Sequence, residues 1–200
     1  MKVKLKNISK SFSNKVVIDN FSYTFKPSRR YGISGANGSG KTTLLKIISQ
    51  LIIQDSGTID FTSNNANAIY TSNNPRSFFM RLSCWDNLYY FGALNMLSKH
   101  ETYEVIKMYF WKDELIHFLD EPVNKISLGQ TQILSIIRCL LSKPNILLFD
   151  EMESNLDTNN LELIHLAIDK YTKSLNGSIV INTSHNLEFL SERNHEVINL

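Results

Sequence analysis

Gly35-Ala36-Asn37-Gly38-Ser39-Gly40-Lys41-Thr42 decides the reading of this chain. The stretch fits G-x-x-x-x-G-K-[ST] in full. Before it, residues 31–34 read as a strand. After it, Leu44, Leu45, Ile47, Ile48 and Leu51 recur at helical spacing. A strand that enters a helix through such a loop suits phosphate. Glycines let the backbone curl so that successive N–H groups point inward, and the helix N-terminus adds a positive dipole end. Lys41 is placed to neutralise the β- and γ-phosphates of a nucleoside triphosphate, and the Thr42 hydroxyl to ligate Mg²⁺.

Outward from the loop, strand and helix patterns alternate. Val16-Val17-Ile18 and residues 21–25 read as two strands before it; residues 58–61 and 68–71 read as short strands after it. Aromatics then crowd with helical spacing, among them Phe78, Phe79, Trp85, Tyr89, Tyr90, Phe91, Tyr103, Tyr109, Phe110 and Trp111. This segment, 75–125, reads as a helical lobe inserted into an α/β core made of 1–74 and 126–200. The core resumes with a helix at 130–142, the strand Ile146-Leu147-Leu148-Phe149, a helix near 161–171, a strand at 179–182, a short helix and a last strand near 196–200. Strands alternating with helices predict a mostly parallel sheet covered on both faces.

A continuous apolar strand ending in Asp150-Glu151 delivers two carboxylates to the edge of such a sheet, where ligands bind in open α/β folds. Asp150 is expected to hold Mg²⁺, and Glu151 to polarise an attacking water.

Composition excludes other classes. The chain has 200 residues, with 42% hydrophobic and 20% charged, the usage of an ordinary globular domain. The formal net charge of +2 argues against nucleic acid as the main partner. Cys84 and Cys139 lie far apart in ordinary segments, which excludes a cysteine zinc site and suits a reducing cytoplasm. No segment approaches the ~20 apolar residues of a membrane span, so any membrane role is expected to run through a partner.

The whole chain, in order, resembles an ABC ATPase, the nucleotide-binding subunit of ABC transporters. The residues that carry the resemblance are the loop at 35–42, Asp55-Ser56-Gly57-Thr58-Ile59 after the first helix, and Ser127-Leu128-Gly129-Gln130 in place of the signature L-S-G-G-Q. They continue with Asp150-Glu151, with Ser154-Asn155-Leu156-Asp157 as the S-x-L-D loop, and with Thr183-Ser184-His185 as the switch histidine segment. The resemblance implies a P-loop NTPase core with a mostly parallel sheet, a small N-terminal antiparallel β part and an inserted helical subdomain. It implies that Gly35, Ala36, Asn37, Gly38, Ser39, Gly40, Lys41, Thr42 and Thr43 cradle ATP, that Phe12 stacks on adenine, and that Val17 packs beside the base. It implies catalytic roles for Lys41, Glu151 and His185, and metal contacts from Thr42, Asp150 and Asn73, the last standing where the family has glutamine. In a head-to-tail dimer, homo- or heteromeric, Ser127, Gly129 and Gln130 of one copy complete the site of the other, and Asp157 connects the two sites.

On this resemblance the chain is expected to be a cytoplasmic subunit, peripheral to the inner face of the membrane, that hydrolyses Mg-ATP to drive a separate permease. The short sequence after the last core strand tilts the expectation toward export. The competing readings are a soluble ABC ATPase outside transport, such as one in iron–sulfur assembly, and a weakly hydrolysing half of a heterodimer, motivated by Asn73 and Leu128. Phe78, Phe79 and Arg81 are the expected partner contacts. His100, His117, His165 and His195 are expected to be ordinary surface or core histidines.

Overall fold

In a computed structural model, the described residues are all but 14, 73–74, 111–115, 176 and 194–195, and the side chain at 75 is likewise left aside. The aligned glutamine substitute Asn73, together with Trp111 and His195, lies outside them. The chain divides into two compact units: residues 1–70, 144–152 and 175–200, and residues 71–143 and 153–174. The second takes in the expected helical segment 75–125 and also the two helices that flank the Ile146 strand in sequence.

The first unit carries two sheets. β1 (Val3–Phe12), β2 (Lys15–Phe25) and β4 (Ser56–Phe61) form an antiparallel sheet in the order β2-β1-β4. The two strands expected before the loop are one strand, β2. Asn20 absorbs the polar break at φ 50°, beside register shifts in the pairing with β1, as a bulged strand does.

The second sheet has the order β5-β6-β7-β3-β8, with β3 (Arg29–Ser34), β5 (Ala68–Thr71), β6 (Ile146–Asp150), β7 (Ile179–Thr183) and β8 (Glu196–Asn199). β6 runs parallel to β7, β7 to β3, and β3 to β8. β6 is buried up to Asp150 and β7 throughout, which is why both read as unbroken rather than alternating apolar runs. α1 (Lys41–Ile48) lays Leu44, Leu45, Ile47 and Ile48 into the core with Ile33, Ile146, Leu148, Ile179 and Ile181. At ~1.5–3 kcal/mol per buried aliphatic side chain, this packing fixes α1, and with it the loop at its head.

The second unit contains α2 (Cys84–Leu94), α3 (Lys99–Tyr109), α4 (Leu128–Leu141) and α5 (Thr158–Ser174). A last short helix, α6 (Leu187–Arg193), belongs to the first unit. Ser83 caps α2, and Ser98 with Glu101 closes a capping box on α3. Arg138 of α4 lies 4.5 Å from the Phe78 ring and 5.0 Å from the Phe91 ring, and donates to the Ser77 carbonyl and hydroxyl. Phe78, expected to meet a partner, is therefore an interior residue at 6% exposure, whereas its neighbour Phe79 is 47% exposed against Tyr90. Burial pushes the Cys84 thiol up to about 12 and the Cys139 thiol to about 11, so both are inert packing residues. Among the described residues no helix is long and apolar enough to cross a membrane.

Candidate functional site

Three adjacent parallel strands end at one sheet edge, and each delivers part of a site there. β3 leads into the 35–42 loop, β6 into Asp150-Glu151, and β7 into His185. Ala36, Asn37 and Gly38 are exposed, Gly35, Ser39 and Thr43 half-buried, and Gly40 buried. Gly40 sits at φ 103°, and a Cβ there would stand 2.7 Å from the Val17 carbonyl oxygen. Only glycine allows this turn so close to β2. Val17 is thus placed by its backbone against the loop.

Lys41 is 6% exposed, and its ammonium donates to the Gly35 carbonyl at 2.7 Å and the Ala36 carbonyl at 3.1 Å. No carboxylate among the described residues answers this charge. A buried cation held only by carbonyl dipoles favours an anionic ligand. Ser39 Oγ, buried in the same loop without a partner, is a second polar atom suited to one.

The Thr42 hydroxyl donates to Asp150 Oδ2 at 2.8 Å. This hydroxyl and carboxylate form an oxygen-only set, the chemistry that hard divalent cations such as Mg²⁺ prefer. Tyr70 also donates to Oδ2, at 2.8 Å, and Thr183 donates to Oδ1 at 2.7 Å. From sequence, Thr183 enters only as part of the switch histidine segment, and neither it nor Tyr70 has a role of its own. Both sit at strand ends where pairing, not local pattern, sets the neighbour: Thr183 is the register partner of Asp150. Glu151 follows in the left-handed region at φ 51°, and the His185 imidazole lies 3.8 Å from its carboxylate. Met152, directly after Glu151, is a buried core residue. Phe12 is 45% exposed beneath the Lys10 ammonium. It is an open aromatic face rather than a core side chain, the form a stacking platform requires.

In the second unit, Ser127 is the N-cap of α4. Its hydroxyl accepts from the Gln130 N–H at 3.1 Å, and the Gln130 side chain accepts from the Ser127 N–H at 2.9 Å. The helix expected from 130 therefore starts at Leu128, whose side chain, 56% exposed, is carried on a helical first turn without strain. A Cβ on Gly129 would stand 2.6 Å from the Asn155 carbonyl oxygen. Asp157 accepts from the Asn160 N–H at 2.8 Å and from its side-chain amide at 2.7 Å. The Asn160 backbone bond, foremost, holds its carboxyl below the usual aspartate range. Ile133 is buried on α4, and so is His165 on α5; His100 is exposed and His117 lies 3.4 Å from the Gln130 amide.

A family model described as ABC transporter matches residues 18–154. The chain is 35% identical over 78% of its length to the Fe(3+) ions import ATP-binding protein FbpC 1 of Haemophilus influenzae, of which 49% is covered. It is 30% identical over 90% of its length to the cytochrome c biogenesis ATP-binding export protein CcmA of Reclinomonas americana, covering 82% of that protein. It is 28% identical over 92% of its length to the tungstate uptake system ATP-binding protein TupC of Peptoclostridium acidaminophilum, covering 87%. The chain spans about half the length of the iron-import relatives it matches. A solved dimeric post-hydrolysis structure of the ATP-binding cassette MJ0796, bound to ADP and Pi, shares the fold. The TM-score is 0.79, with 99% of this chain and 94% of that one covered at 22% identity. A match that runs unbroken from β2 past the acidic end of β6 places this chain in the ABC transporter family of ATP-binding proteins.

Proposed function

We propose that the chain is the ATP-binding subunit of an ABC transporter, an ATPase that works as a head-to-tail dimer and drives a separate transmembrane partner from the cytoplasmic face. The observation that carries this reading is the buried Lys41 ammonium, answered among the described residues only by loop carbonyls, at the same sheet edge as the Thr42–Asp150 contact. A triphosphate with its divalent cation complements both.

Each residue then has a task. The loop N–H groups from Gly35 to Thr43 and Lys41 bind the phosphates, while Phe12, with Val17 beside it, takes the base. Thr42 and Asp150 would hold Mg²⁺, with Asn73 as a further ligand, and the ion would supply positive charge against the phosphates. Glu151 takes the proton of the attacking water. His185, 3.8 Å away, keeps the Glu151 carboxylate oriented and reaches the γ-phosphate. Ser127, Gly129, Gln130 and the N-terminus of α4 from a second copy supply donors and a positive dipole end to that phosphate, and Asp157 links the two sites. The exposed Phe79 and Tyr90 pair is the contact for the membrane partner.

Uptake and export names occur side by side among the relatives. The expectation of export gains no support from them. The test is steady-state hydrolysis of Mg-ATP by the purified chain, alone and with the subunit that copurifies with it. Glu151→Gln is expected to abolish turnover and trap an ATP-bound dimer, visible by size-exclusion chromatography. Unchanged turnover and unchanged dimerisation in this variant would remove Glu151 as the base.

A further inference from the structure

We propose that Thr183 and Tyr70 are positioning residues for the two carboxylates of the site, Asp150 and Glu151. This rests on the nucleotide reading above and adds two groups to it. Thr183 ends β7 directly opposite Asp150 in the parallel register, and it is fully buried. Its hydroxyl works in both directions. It donates to Asp150 Oδ1 at 2.7 Å and accepts from the Glu151 N–H at 3.2 Å. The Thr183 carbonyl accepts from the same N–H at 3.2 Å. One side chain thus ties the carboxylate of one acid to the backbone of the next.

The tie matters because Glu151 is a non-glycine residue at φ 51°, a conformation that persists only where its surroundings hold it. Gripping its N–H from two acceptors fixes the direction in which the Glu151 side chain leaves the strand. Tyr70 acts on the other oxygen. Its hydroxyl donates to Asp150 Oδ2 beside that of Thr42, and the Lys46 ammonium lies 5.6 Å from its ring. Asp150 is therefore held by hydroxyl donors on both oxygens, which sets the plane of the carboxylate toward the Thr42 hydroxyl. Outer partners of this kind tune metal affinity and activity by ~10–100-fold.

The test uses Thr183→Val, Thr183→Ser and Tyr70→Phe in the whole chain. Binding of a non-hydrolysable fluorescent ATP analogue is titrated with Mg²⁺ and repeated in EDTA, and kcat and KM are measured alongside. Thr183→Val is expected to raise the half-saturating Mg²⁺ roughly tenfold and lower kcat ~10–100-fold. KM for ATP and metal-free binding should stay near wild type, which also shows that the loop is folded. Thr183→Ser should recover most of both losses, and Tyr70→Phe should raise the Mg²⁺ requirement about threefold with a smaller effect on kcat. A valine variant with wild-type Mg²⁺ dependence and kcat, or a serine variant as impaired as valine, overturns the inference while the wild type still binds nucleotide. A wild-type chain that binds no nucleotide overturns the function reading itself, and this inference with it.

Discussion

The loop around Lys41 and the turn at Ser127 carry the two most recognisable motifs of the chain, and they are built on opposite principles. Around Lys41 the polar groups are left open by their own neighbourhood. Among the described residues the ammonium meets only carbonyl oxygens, and Ser39 Oγ meets no partner. At Ser127 the motif residues are used up locally. Ser127 and Gln130 cap their own helix, Gly129 makes room for the Asn155 carbonyl, and Asp157 caps α5. The first region stores an unanswered charge for a ligand. The second holds a helix N-terminus rigidly ready, its positive end aimed out of a turn that needs no ligand to form. One motif thus leaves its polar groups open while the other spends them on local architecture, and in the proposed dimer the second would act only on the site of another copy.

The sharpest break of this contrast is Lys41→Ala. Removing the cation from the open region should lower turnover by roughly 100-fold or more, and equilibrium binding of a fluorescent nucleotide should collapse with it. Gly129→Ala probes the closed region. The added methyl meets a backbone oxygen that has to move, and displacement of the capped turn should cost about 10–100-fold in turnover. Nucleotide affinity at the Lys41 loop should hold, so comparing kcat with binding separates the two regions.

A smaller effect on chemistry and a plain one on stability is expected from Arg138→Met. It removes two ring contacts and two hydrogen bonds from the far end of α4, worth about 2–4 kcal/mol together, read as a lowered midpoint of urea unfolding. Asp157→Ala should show the mildest change, a modest drop in thermal midpoint that Asp157→Asn largely avoids. Its pH dependence has a definite sign. The folded-state carboxyl titrates below its unfolded value, so the cap contributes above the ordinary aspartate range and fades as pH falls through the folded value. Wild type and Asp157→Ala should therefore converge in strong acid, as followed by circular dichroism melts.

Much of this was legible in residue order, because it rests on short-range rules. A glycine-rich loop between a strand and a helix, an apolar run ending in two acids, and helical spacing after each are local patterns, and β3, α1, β6 and β7 stand where those patterns put them. The capping box, a serine followed three residues later by glutamine in Ser127-Leu128-Gly129-Gln130, was passed over, which set the expected helix start at 130 instead of Leu128. What only the tertiary structure decided is which distant groups meet. Parallel register set Thr183 beside Asp150, sheet order brought Tyr70 to the same carboxylate, and helix packing turned Phe78 inward under Arg138 while leaving Phe79 outside. A residue's own neighbours in sequence fix its φ, ψ and period. Its partners across a sheet or between helices depend on how whole elements pack, and no local spacing contains that information.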